Sequence, residues 1–205
     1  GNRFMKFVTN KLKISVWLLF VTLGIFVLGA GIVCAADPNG SQTYSDSITG
    51  LKFSVNFIWT LLGAFLVFSM QAGFAFLGGF LRQKNMLSYM SHCFIDSTFG
   101  AMVFYFFGFA LMFGGSKLAP GLEGGNAWIG SDGFMLMGNS YDVQTIMFWL
   151  FQMVFATKTV SIIAGAVAER LKFGAYLIYS FLMCGLIYPI YGHWVWGGGW
   201  LSTLP

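Results

Sequence analysis

FQMVFATKTVSIIAGAVAE, Phe151 to Glu169, is the stretch on which the fold turns. Apolar and small residues fill almost every position, yet Lys158 stands near its middle, three residues after Phe155, and Glu169 closes it. As a helix rising about 1.5 Å per residue, the stretch nearly matches the ~30 Å hydrocarbon core of a bilayer. An ionisable side chain at that depth has no water around it, so it marks a cavity, a partner or a pathway.

The rest of the chain agrees with a membrane setting. Residues are 57% apolar and 9% charged, and mean hydropathy is +0.74, which leaves too little polar surface to coat a soluble fold. Five stretches have the length of a helical span: 13–36, 55–81, 88–114, 146–168 and 173–191. They are too long for soluble strands and lack the apolar and polar alternation of a membrane barrel, so the backbone must be satisfied within helices. The fold class is all-α, a polytopic transmembrane helical bundle.

Basic residues at span ends set the orientation. Arg3, Lys6, Lys11, Lys13, Arg82, Lys84, Arg170 and Lys172 all fall on one side, read as cytoplasmic. The opposite loops hold Lys52 and Lys117 beside Asp37, Asp46, Glu123, Asp132 and Asp142, and Pro205 falls on that outer side. The net charge of +4 thus reflects topology, and its spread along one membrane face does not suit nucleic acid. Cys34, Cys93 and Cys184 are odd in number and far apart in apolar surroundings, which argues against a disulfide framework or a thiolate metal site.

Residues 1–36 have two readings. A basic n-region followed by an apolar run ending Val33-Cys34-Ala35-Ala36-Asp37 fits a secretory signal peptide; the length of the run fits an uncut transmembrane anchor. Residues 37–54 form a polar, extracytoplasmic lead-in, and 55–205 hold the remaining spans. Ser69, Gln71, Gly73, Gly78 and Gly79 predict that the second span lies inside the bundle. Asp96, one to two turns into the third span, is expected to cap or hydrogen-bond a neighbouring helix. His92 reads as a helix-end group. The long acidic loop 115–142 is the one segment able to form an outer vestibule.

Three blocks stand in an informative order: FLVFSMQAGFAFLGGFLRQKN (65–85), FATKTVSIIAGAVAERLKF (155–173) and HWVWGGGWL (193–201). They resemble the ammonium transporters of the Amt/MEP/Rh superfamily, and NMLSYMSHCFIDSTFGAMVFYFFGFALMFGG (85–115) adds a fourth block. The resemblance runs from about Phe57 to Leu201, so 55–205 reads as a partial ammonium transporter domain. It implies the first half of an inverted-repeat fold, with Trp196 as the outer aromatic site that recruits ammonium and Phe155 as the gate below it. His193 and Gln152 take supporting roles, and Glu169 and Arg170 form a charge-assisted pair at the inner end. No cofactor or metal is implied. The implied partners are ammonium or ammonia, the lipid bilayer, two further copies in a homotrimer, and a PII-type regulatory protein or a fused signalling module, in an inner or plasma membrane.

The sequence departs from the family at two points. It stops at Pro205, before the paired pore histidines, which reads as an incomplete segment unable to conduct alone. Lys158 also replaces the family's small residue on the same helical face as Phe155. A fixed ammonium about 4.5 Å deeper than the gate would repel a second cation. That favours an ammonium sensor with reduced conduction; alternatively Lys158 lies off the axis and pairs with an acid of the second half, or becomes neutral in the apolar setting. A membrane enzyme is the weakest class, because no Ser/His/Asp set, carboxylate pair or metal-ligand cluster stands out.

Overall fold

A computed structural model describes residues 37–204 apart from 42, 45, 46, 117 and 120. The expectations for the 1–36 segment, Asp46, Lys117 and Pro205 lie outside the described residues. Four helical rods result, each long and apolar enough to cross a membrane. The first is α1 (Ile48–Leu77), which runs into a tight turn at Gly78–Phe80. The second is α2 (Gln83–Val103), which passes through a wide π turn at Phe104–Gly108 into α3 (Phe109–Phe113). The third is α4 (Val143–Val167). The fourth is α5 (Phe173–Leu182), which passes through a second π turn at Met183–Ile187 into α6 (Tyr188–Val195). Among the described residues there is no strand, only one isolated bridge between Gly125 and Gly130.

Local chemistry fixes the helix starts. The Ser47 hydroxyl accepts from Gly50 N–H at 3.0 Å, so α1 begins seven residues before the apolar window that predicts it and takes in the end of the polar lead-in. Asp142 caps α4 in the same way, accepting from Gln144 N–H at 3.0 Å. Each orphan donor so satisfied contributes about 1 kcal/mol. At the other end of α4, Glu169 adopts φ +65, a left-handed conformation more often taken by glycine, and turns the chain toward α5.

The core lies between α2, α4 and α5, where Phe104, Phe109, Phe113, Val154, Val160 and Tyr176 are buried. The two π turns pack against each other. A Cβ on Gly108 would lie 2.5 Å from the Cys184 carbonyl oxygen and from the Phe104 ring, and one on Gly100 3.1 Å from Cys184 Sγ. Small residues therefore set how closely α2 and α5 cross.

The position of α1 corrects one expectation. It packs on α4 and α2 along one side only, with Gly50 and Ala64 its buried residues, while Ile58, Trp59, Leu62, Phe65 and Leu66 face outward. Within the described residues it is peripheral, with large apolar groups covering most of its surface. Among the described residues, a methyl added at Gly73 or Gly79 would meet no neighbour within 4 Å.

These two kinds of glycine give a paired test. Gly108→Ala pushes a methyl into backbone and is expected to cost about 1–3 kcal/mol, with reduced yield of folded protein. Gly73→Ala meets open space and should leave the thermal midpoint in detergent unchanged or slightly raised.

Candidate functional site

Trp196 caps the C-terminus of α6, where its N–H donates to Gly192 O at 3.0 Å. The turn carrying it is fastened to the outer loop by three successive backbone carbonyls. Asn126 O meets His193 Nε2 at 2.8 Å, Ala127 O accepts from Trp200 N–H at 2.9 Å, and Trp128 O accepts from Trp194 Nε1 at 2.8 Å. The rings of Trp128, Trp194 and Trp200 pack in a triangle with centroids 6.1–6.2 Å apart. Trp196 stands apart from that triangle and remains 48% exposed. Asn126 holds its own turn rigid, its side chain accepting from the N–H groups of Trp128 and Ile129 at 2.8 and 3.0 Å.

His193 is 2% exposed and lies between Asn126 O and Met112 O, the latter 2.8 Å from Nδ1. Carbonyl oxygens only accept, and a neutral imidazole has a single N–H to give. A neutral ring therefore donates to one of the two carbonyls and packs against the other, enclosed by the backbone of α3, α6 and the loop. A Cβ on Gly197 would sit 2.9 Å from Nδ1, which explains one glycine of the Gly197-Gly198-Gly199 run; Gly198, at φ +92, explains another.

Phe155 lies on α4 with its ring 5.0 Å from that of Phe151, which in turn lies over Gly63 of α1. It is half-buried. Among the described residues its ring partner is Phe151, so Trp196 does not stack on it. Gln152, one residue after Phe151, is buried, and its Oε1 has no partner among the described residues.

Lys158 is 4% exposed. Its Nζ donates to Gln71 Oε1 of α1 and lies 5.3 Å from the centroid of the Phe68 ring. Gln71 Nε2 donates to Cys93 O of α2 at 2.5 Å and lies 3.4 Å from Ser161 Oγ of α4. Ser161 donates to Asp96 Oδ2 at 2.8 Å, and the Tyr176 hydroxyl of α5 sits 2.8 Å from both Asp96 oxygens. One network thus joins all four rods through a fully buried carboxylate. Of the two placements open for Lys158, Gln71 and Phe68 define the side on which its amine sits. Sequence reasoning missed Gln71, Ser161 and Tyr176 as partners; Ser161, three residues after Lys158 on one face, was the available signal.

His92 is not a helix-end group. It lies nine residues into α2, with its ring stacked on Tyr176 at 4.3 Å and on Phe173 at 5.7 Å.

At the inner end the turns 81–85 and 165–170 line a shared cleft. Glu169 corrects the expected pairing with Arg170: its Oε1 accepts from Asn85 Nδ2 at 3.0 Å and from Arg82 N–H at 3.2 Å. The left-handed backbone at Glu169 swings the carboxylate across to the start of α2, where two N–H donors await it. Those donors hold its carboxyl below the usual carboxylate range, the Asn85 amide first and the Arg82 backbone second.

Four apolar rods with a polar network buried between them define a multi-pass α-helical membrane protein. A model of the Ammonium Transporter Family matches residues 58–205, and the chain belongs to that family, one of transporters and not of enzymes. Ammonium transporter Amt2 of Archaeoglobus fulgidus is 44% identical over 180 residues, which cover 87% of this chain and 36% of that protein. Ammonium transporter 1 member 3 of Solanum lycopersicum is 41% identical over 154 residues, 73% of this chain and 31% of that one. The solved structure titled Sensor Amt Protein superposes with a TM-score of 0.62 at 34% identity, covering 74% of this chain and 38% of its own. The chain spans about a third of the length of these curated relatives.

The Glu169 contacts predict a pH dependence. A carboxyl held low in the folded state adds stability above its unfolded value, near 4.3, and loses it as pH falls through the lower folded value. Glu169→Gln should therefore flatten the acid limb of thermal stability measured from about pH 6 to 3. An identical limb in the variant would mean that the contacts carry no charge dependence.

Proposed function

We propose that this chain supplies the outer recruitment site and one wall of a path that moves ammonium or ammonia across an inner or plasma membrane. In this reading Trp196 receives the cation and Phe155 is the ring past which it moves, with Gln152 and His193 in support. The pore runs between this segment and a second, inverted set of helices carrying paired histidines, in a homotrimer under the control of a PII-type protein. The observation that supports the reading is the place of Trp196: it closes α6, stands outside the Trp128–Trp194–Trp200 ring cluster and keeps nearly half its surface open. An indole face within ~6 Å of a cation contributes about 0.5–2 kcal/mol.

A second reading, an ammonium sensor with reduced conduction and a signalling output, has its own support. Lys158 puts an amine within the span, one turn from Phe155, and the chain is 34% identical to a protein whose structure is titled Sensor Amt Protein.

In the complete gene product, Trp196→Leu should raise the apparent KM for methylammonium about 2- to 30-fold with little change in maximal rate, whereas Trp194→Leu should lower the yield of folded protein. An unchanged KM in Trp196→Leu would remove the recruitment role. Under the sensor reading, Lys158→Ala raises uptake per folded molecule; equal uptake rejects Lys158 as a plug.

A further inference from the structure

The surroundings of Lys158 are those of a cation site. Gln71 Oε1 offers an acceptor oxygen, the Phe68 ring lies 5.3 Å from Nζ, and Ser161 links Gln71 to the buried Asp96 carboxylate. A ring face within ~6 Å and a carbonyl oxygen are what a small ammonium ion accepts in a desolvated setting. Ser161 Oγ is 2.8 Å from Asp96 Oδ2 and 3.5 Å from Gln71 Oε1, so its single proton goes to the carboxylate. Gln71 spends its amide donor on Cys93 O, which turns its oxygen toward Nζ. The amine has three N–H groups and, among the described residues, this one oxygen as acceptor.

Asp96 supplies the reason for the arrangement. It is fully buried, its neighbours Tyr176 and Ser161 are neutral hydroxyls, and no ion pair joins it to a base among the described residues. A lone buried charge is costly, and an opposite charge within one hydrogen-bonded network offsets it. Lys158 is the basic side chain of that network among the described residues.

We propose that the pocket formed by Gln71, Phe68 and the Ser161–Asp96 relay is a monovalent-cation site filled by the chain's own Lys158 ammonium, and that removing the amine converts it into a site for free ammonium or a small alkylammonium. The inference concerns a site within the helix bundle, separate from the outer turn, and stands whether or not the protein conducts.

The experiment uses the complete gene product, purified in detergent, with thermal unfolding followed at constant ionic strength while sodium is exchanged for ammonium or methylammonium. Wild type should be indifferent to the exchange. Lys158→Ala should melt lower in sodium and recover saturably in ammonium; at about 100 times the dissociation constant, linkage raises the folded-to-unfolded ratio roughly a hundred-fold. Adding Asp96→Asn should abolish the recovery. Recovery by sodium equal to that by ammonium, or an Ala variant indifferent to both, overturns the proposal. Should Lys158→Ala fail to fold in either salt, Gln71→Glu decides. A new carboxylate beside an ammonium keeps or raises the melting point, whereas beside a neutral amine it adds a second buried acid near Asp96 and lowers it.

Discussion

The Asp96 carboxylate sits where no water reaches it, and the packing of the rods is arranged around that fact. Its oxygens take hydroxyl protons from Tyr176 on α5 and Ser161 on α4, while Asp96 belongs to α2. Three rods are therefore pinned at one depth by bonds to a charged acceptor, each stronger than a neutral hydrogen bond. Through Gln71, α1 joins the same knot although it buries little apolar surface. In a lipid setting, where apolar burial does not drive helices together, such contacts and close steric fit decide the neighbours. The fit is visible at the paired π turns, where Gly108 lets the Cys184 carbonyl approach.

The outer turn is organised on a different principle. There the anchors are backbone carbonyls in sequence, received by an imidazole, a main-chain N–H and an indole. The result is a stiff platform from which one tryptophan is left free. Stiffness under an exposed aromatic ring lowers the cost of ordering it around a ligand. Asp132 contributes from within the loop, where its carboxylate accepts from Glu123, Gly124 and Gly133 N–H groups. The loop acids thus act as internal braces as well as surface charge.

Composition and the length of apolar runs made the four described helical spans legible, mostly to within about five residues, because a bilayer demands long apolar runs whatever the contacts between them. The α1 start at Ile48 was not legible, since Ser47 lies in a polar stretch that hydropathy treats as loop. Site residues carried by dense motifs, Trp196, Phe155 and Lys158, were visible as candidates. Their partners were not: Gln71 meets Lys158, Ser161 and Cys93 across rods, and no spacing in one chain encodes which faces oppose. Trp128 and Asn126 sit in a glycine-rich loop without periodicity, so their union with residues 193–200 exists only in three dimensions. Glu169 misled because the resemblance implied a pair with Arg170, while a positive φ aimed the carboxylate at Asn85 and Arg82 N–H.

The three consecutive carbonyls at Asn126, Ala127 and Trp128 have an evolutionary corollary. Main-chain oxygens are common to every amino acid, so the middle position can drift among many residue types without loosening the clasp. Length is the intolerant variable: inserting or deleting a single residue between Asn126 and Trp128 would put all three acceptors out of step with their donors at once. Descendants of this chain should therefore vary at Ala127 and hold the length of the segment.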